Sequence, residues 1–146
     1  MDPKKLAKEY LENIKIMQLA TAENNKPWVC TVHFYADNEL NLWWSSRTDR
    51  KHSQQLAGNS QASATVLVHE NTSEEDYVIA ITATGKAELM KGISKEVKQA
   101  YITKLDRPAY LTPPNNMQEF YRLKPESIVV FDTKNFPKDP RQEFKL

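Results

Sequence analysis

Several common chemistries are excluded by what this 146-residue chain has little of. Cys30 is its only cysteine, so no intrachain disulfide can form and no thiolate set exists for zinc or an iron–sulfur cluster. The three histidines, His33, His52 and His69, share no metal-ligand spacing of the HExxH kind. Gly58, Gly85 and Gly92 are the only glycines and lie too far apart to build a glycine-rich phosphate loop. No apolar run approaches the roughly 20 residues that span a bilayer, so no membrane role is expected. The opening MDPKKLAKEYLENI is charged and lacks the apolar core of a signal peptide, which gives the expectation of a cytoplasmic protein. A dominant charge is missing too. Twenty Lys and Arg face 19 Asp and Glu, a formal net charge of +1. That balance exerts no global pull toward nucleic acid, so any basic patch must be local.

The residues that are present suit one globular domain over 1–146, with 40% hydrophobic and 27% charged. Asp2 followed by Pro3 predicts a helix start. Leu6, Tyr10 and Ile14, with Leu11 beside them, form its apolar side, and it is expected to end near Asn13. Strand character then appears at 16–21, 27–35, 40–45, 61–69 and 77–90, the last with Gly85 as a bulge or bend. AENNK and ADNE read as turns, the second joining 27–35 and 40–45 in a hairpin. A helix is expected from the Arg-Lys turn to Gly58-Asn59, and another opening at Ser94. RPAYLTPPNN reads as a stiff loop, 119–124 and 127–133 as strands on either side of a Pro125-Glu126 turn, and the tail as an extended arm. The pattern predicts a mainly β fold, with six to seven mostly antiparallel strands closed into a small barrel and flanked by helices.

The stretch LNLWWSSRTDRKHSQQL, residues 40–56, concentrates the functional signal. An aromatic strand ends in Ser45 and Ser46, a polar turn carries Arg47, Arg50 and Lys51, and a helix begins with Asp49 or Thr48 placed to cap it. Helix-start amides, the positive end of the helix dipole and cationic side chains together favour an anion. The alternative is a solvated turn, with Asp49 capping and the three cations in water. Trp43 and Trp44 alternate faces, so one belongs to the core and only the other can meet a ligand. His33 is either a ligand donor or a hydrogen-bonded strand histidine. His52 either assists an anion or faces solvent, and Cys30 reads best as a small core residue.

Four segments, PWVCTVHFY, LWWSSRTDRK, ITATGKAEL and YRLKPESIVVFD, resemble in type and order the FMN-binding split-barrel family named after pyridoxamine 5′-phosphate oxidase, over about 16–132. The resemblance implies an antiparallel split barrel with FMN as cofactor. By that likeness Arg50 and Lys51 hold the phosphate, and Trp44, Ser45 and Ser46 line the flavin at a strand end. Cys30, Thr31, Val32 and His33 run along the isoalloxazine and ribityl chain. The site lies between the subunits of a homodimer. The implied function is an oxidoreductase passing hydride between flavin and NAD(P)H or another small molecule, as in a general stress protein-like member. The oxidase itself is not implied. It carries basic residues where Cys30 and Tyr35 stand, a polar flavin contact where Ala80 stands, and substrate-binding Arg and His residues in a longer C-terminal segment. No histidine follows His69 here. The alternatives are a flavin-binding stress protein without turnover, a small barrel that binds nucleic acid through WWSSRTDRK, and haem binding. The charge balance opposes the second and the scattered histidines oppose the third.

Overall fold

Asp2 accepts a hydrogen bond from the Lys4 amide at 3.0 Å, and Pro3 opens α1 (Pro3–Glu12) with its φ already helical. The computed structural model describes residues 1–106, 113 and 117–146. Ala7 and Leu11 are the buried face of α1, which ends at Asn13. β1 (Ile16–Glu23) and β2 (Lys26–His33) form a hairpin closed by Asn24 and Asn25, at φ 52° and 61°. Two consecutive residues in the left-handed region make the tight turn whose twist suits a hairpin, and asparagine tolerates that conformation.

The remaining elements are β3 (Tyr35–Ala36), β4 (Leu42–Arg47), α2 (Lys51–Gly58), β5 (Gln61–His69), β6 (Ile79–Met90), α3 (Lys95–Leu105), β7 (Gln118–Asp132) and β8 (Arg141–Lys145). Every strand pairing is antiparallel, in the order β2-β1-β5-β6-β7-β4-β3, with β8 added to β7. The curled sheet closes around Met17, Leu19, Phe34, Leu42, Trp44, Val66, Ile81, Leu123 and Ile128. The expected mainly β, antiparallel split barrel with flanking helices is the architecture present. α3, capped by Ser94 through the Val97 amide, packs on the outer face of the sheet. There Tyr101 meets Phe120 edge-on at 5.1 Å, with Leu105 beside them.

The structure corrects four local expectations. The stretch 27–35 is not one strand hairpinned to 40–45. It breaks at Phe34, whose buried ring turns into the core while its amide donates to Lys15 O at 3.0 Å. β2 therefore pairs with β1, and only Tyr35 and Ala36 pair with β4. The two strands expected at 119–124 and 127–133 are one, Gln118–Asp132, because the irregularity opposite Gly85 absorbs Pro125 and Glu126 inside β7. A Cβ at Gly85 would strike the backbone of Lys124 and Pro125, so the two strands approach there only because it is glycine. The tail is not a free arm, since Phe144 packs against the core and 141–145 extend the sheet. The strand count therefore rises to eight among the described residues, with β3 and β8 as the additions. Finally, Asp49 does not cap α2. It holds Arg47 in an ion pair at 2.7 Å, and Arg50 is the cap residue, with no side-chain cap bond. Most of the RPAYLTPPNN loop, with Arg107 and Tyr110, lies outside the described residues. Among those described, no helix is long and apolar enough to cross a membrane.

Candidate functional site

The break at Phe34 leaves the barrel unsealed. Among the described residues β2 ends the sheet order with no strand on its far side, and the β3–β4 ladder stops at Trp43, so β3 does not follow β4 along Trp44–Arg47. The two edges border a cleft of about 220 Å³, the seam of the split barrel. β2 contributes Thr31, Val32 and His33, and β4 contributes Ser45, Ser46 and Arg47. Arg50 and His52 enter from the start of α2, Tyr101 from α3 and Gln118 from the start of β7. No carboxylate is among its described lining residues.

Alternation along β4 assigns the side chains. Leu42 and Trp44 point inward, and Trp44 is fully buried and stacked on Tyr121 at 5.7 Å. Ser46 shares that inward side and lies 2.8 Å from His52 Nε2, both residues almost wholly buried. Ser45 points outward, toward α3. Its amide donates to Tyr101 Oη at 3.2 Å and the two hydroxyls are 3.0 Å apart. A phenol from a helix thus takes up an edge amide that a closed barrel would give to the next strand. Burial, with the Arg50 charge beside it, pushes the His52 imidazole below its usual value, so the ring is neutral at pH 7. The Asp49 bond holds Arg47 fully charged, since that carboxyl is itself pulled down by the guanidinium. The seam is a cationic, hydroxyl-rich surface at the start of a helix that has no side-chain cap and no acid in its first turn.

Six residues expected at a ligand site meet here: Thr31, Val32, His33, Ser45, Ser46 and Arg50. Three others do not. Trp44 belongs to the barrel interior. Cys30, like Val32 on the same face of β2, packs against the core, and burial pushes its thiol up, away from the nucleophilic thiolate. Lys51 stands 4.2 Å over the Trp28 ring, outside the seam. Tyr101 and Gln118 carried no signal in the sequence. Tyr101 reads as one more apolar residue of an amphipathic helix, and its contact with Ser45 spans 56 positions.

A family model described as pyridoxamine 5′-phosphate oxidase matches residues 3–131. The chain belongs to the pyridoxamine 5′-phosphate oxidase family. Solved structures of similar fold include the General Stress Protein 26 of Bacillus anthracis, with TM-score 0.73, 17% identity and 100% of both chains covered. A FAD-binding protein from Mesorhizobium loti gives TM-score 0.67 at 17% identity, over 88% of this chain and 90% of that one. The haem storage protein HutZ of Vibrio cholerae gives 0.65 at 21%, over 86% and 92%. At these identities the likeness is one of fold. Among curated proteins, none matches this chain.

Proposed function

We propose that this family member is a flavoprotein that binds FMN in the seam and exchanges hydride between flavin and NAD(P)H or another small molecule. The observation that carries the reading is the donor set. A cleft lined by two arginines, two histidines and four hydroxyl side chains, with no carboxylate among the described lining residues, opens at an uncapped helix start. That chemistry fits a phosphate monoester. Arg50 and the first amides of α2 would hold the phosphate. The part of β2 that lines the cleft would offer contacts to the ring system through Thr31, Val32 and His33. When bound, FMN supplies the hydride chemistry; the chain supplies orientation and electrostatics. Residue by residue, Arg50 neutralises the anion, Tyr101 steadies Ser45 at the rim, and Val32 offers an apolar contact. No acid–base pair is needed from the protein.

A second copy of the chain completes the site in this reading. The seam, at about 220 Å³, is smaller than the roughly 300 Å³ of ordinary small-molecule pockets, so one chain encloses only part of such a ligand. The adjacent sheet face is uncharged. The outward positions of β1, β2 and β5 carry no Asp, Glu, Lys or Arg, and Val29, Leu67 and Ile16 are exposed at 61%, 55% and 46%. A sheet face of that composition suits burial against another subunit. The test is direct. Purified protein mixed with FMN is expected to turn yellow and retain flavin through gel filtration, then to be bleached anaerobically by NADPH or NADH. Retention without reduction would assign a flavin carrier rather than an oxidoreductase. Colourless protein after reconstitution would remove the flavin reading.

A further inference from the structure

The seam holds one buried titratable side chain that phosphate binding alone does not require. His52 is the second residue of α2, 8% exposed, with its Nε2 2.8 Å from Ser46 Oγ. We propose that His52 is the proton-linked residue of the seam: a phosphate monoester bound beside Arg50 draws a proton onto the imidazole, so the bound state carries a cation that the free protein lacks. This rests on the assignment of the seam as the FMN phosphate site.

The surroundings set the direction. At the start of its own element, Arg50 is the cap residue two positions before it and the helix dipole presents its positive end, and both oppose a charge on the ring. From β4, Arg47 faces the cleft, although Asp49 binds its guanidinium. β2 contributes His33, α3 contributes Tyr101, and β7 contributes the neutral Gln118. Glu119 stands across from Ser46 in the β4–β7 register, on the inward side. No carboxylate in the cleft offsets the positive field. A phosphate dianion does. It neutralises Arg50 and the helix start together, and what then remains at His52 favours the charged ring. The partner hydroxyl permits the change. Ser46 can donate to a neutral Nε2 or accept from a protonated one, so the 2.8 Å contact serves both states without a rearrangement.

The proton balance is simple. One proton leaves solvent or buffer and binds the ring as the ligand binds, and the reverse occurs on release. Affinity therefore rises as pH falls, by up to about tenfold per pH unit, the limit for one linked proton. Below about pH 6 the free phosphate itself carries a proton that binding releases, so uptake and release cancel and the gain levels off.

Calorimetric titration of the full chain with FMN at pH 7.5, in two buffers of different ionisation enthalpy, counts the protons. The ligand phosphate is then already the dianion. Net uptake with FMN and none with riboflavin is expected. His52→Gln, which keeps a donor for Ser46, is expected to bind FMN with no uptake and a flatter pH profile. FMN binding by the wild type without uptake overturns this inference and leaves the flavin site standing, and that measurement needs no variant. Equal uptake in His52→Gln overturns it as well. No FMN binding at any pH between 6 and 8 overturns both readings.

Discussion

Arg50 and Lys51 are neighbours in sequence with different tasks in the fold. Arg50 ends in the seam, while the Lys51 ammonium lies over the Trp28 ring at 4.2 Å. Arg50→Ala is therefore expected to weaken FMN binding by more than tenfold, the loss of about one charge-assisted contact of ~1.5–3 kcal/mol. Lys51→Ala should change it less than threefold. Fluorescence titration of both variants checks this, and equal losses would mean that the lysine leaves Trp28 for the phosphate. Asp132 is the strongest single residue away from the site. It is fully buried and accepts from Tyr10 Oη at 2.7 Å, the Asn135 amide at 2.8 Å, Asn135 Nδ2 at 2.7 Å and the Lys134 amide at 3.0 Å. Burial pushes its carboxyl up, but these donors outweigh burial and hold it below the usual carboxylate value. The stabilisation is thus present above the unfolded pKa and lost as pH falls through the folded one. Asp132→Ala is expected to cost about 3 kcal/mol in urea unfolding at neutral pH, because it untethers α1 from the end of β7 and strands buried donors.

Elements are joined at two points that make separate predictions. β6 and β7 approach closely at Gly85, where an added methyl meets backbone rather than a movable side chain. Gly85→Ala should lower stability by roughly 1–3 kcal/mol, read from a thermal or urea transition. α3 is tied to the end of α1 by Lys104, whose ammonium donates to Leu11 O at 3.0 Å and lies 4.1 Å over Phe34. The contact caps the negative end of α1 but buries a charge, and burial pulls the amine down from 10.5 to about 8. The unfolded chain keeps that proton up to about 10.5, so between the two values the folded state binds fewer protons and stability rises with pH. Wild type should gain stability relative to Lys104→Met between pH 7 and pH 10. A constant difference would show that the amine titrates normally.

For the whole molecule the decisive question is what covers the uncharged sheet face. Val29 is its most exposed large apolar side chain, on the strand that also borders the seam. In the proposed dimer a charge there would meet no partner on the face and would repel its own copy across a two-fold interface. Val29→Lys is expected to shift the sedimentation coefficient from dimer to monomer and to shorten FMN retention with it. A variant with unchanged mass would place the interface elsewhere. Loss of the dimer with undiminished FMN affinity would mean that one chain is a sufficient site.

The parts decided by a few neighbouring residues were legible in the sequence. Asp2-Pro3 and Ser94 start helices, Asn24-Asn25 turns a hairpin, and period-two alternation marks the strands. Each depends on local torsions and nearby amides, so a short window contains the cause. The same holds for the chemistry of the seam: hydroxyls, Arg50 and His52 lie within one stretch that also starts a helix. Tertiary structure alone decided which strands pair, which face of Trp43-Trp44 is interior, and that Tyr101 closes on Ser45. Those outcomes depend on burying both faces of a curled sheet at once. Phe34 enters the core only if β2 leaves β4, and that separation, invisible in any local pattern, opens the cleft between them.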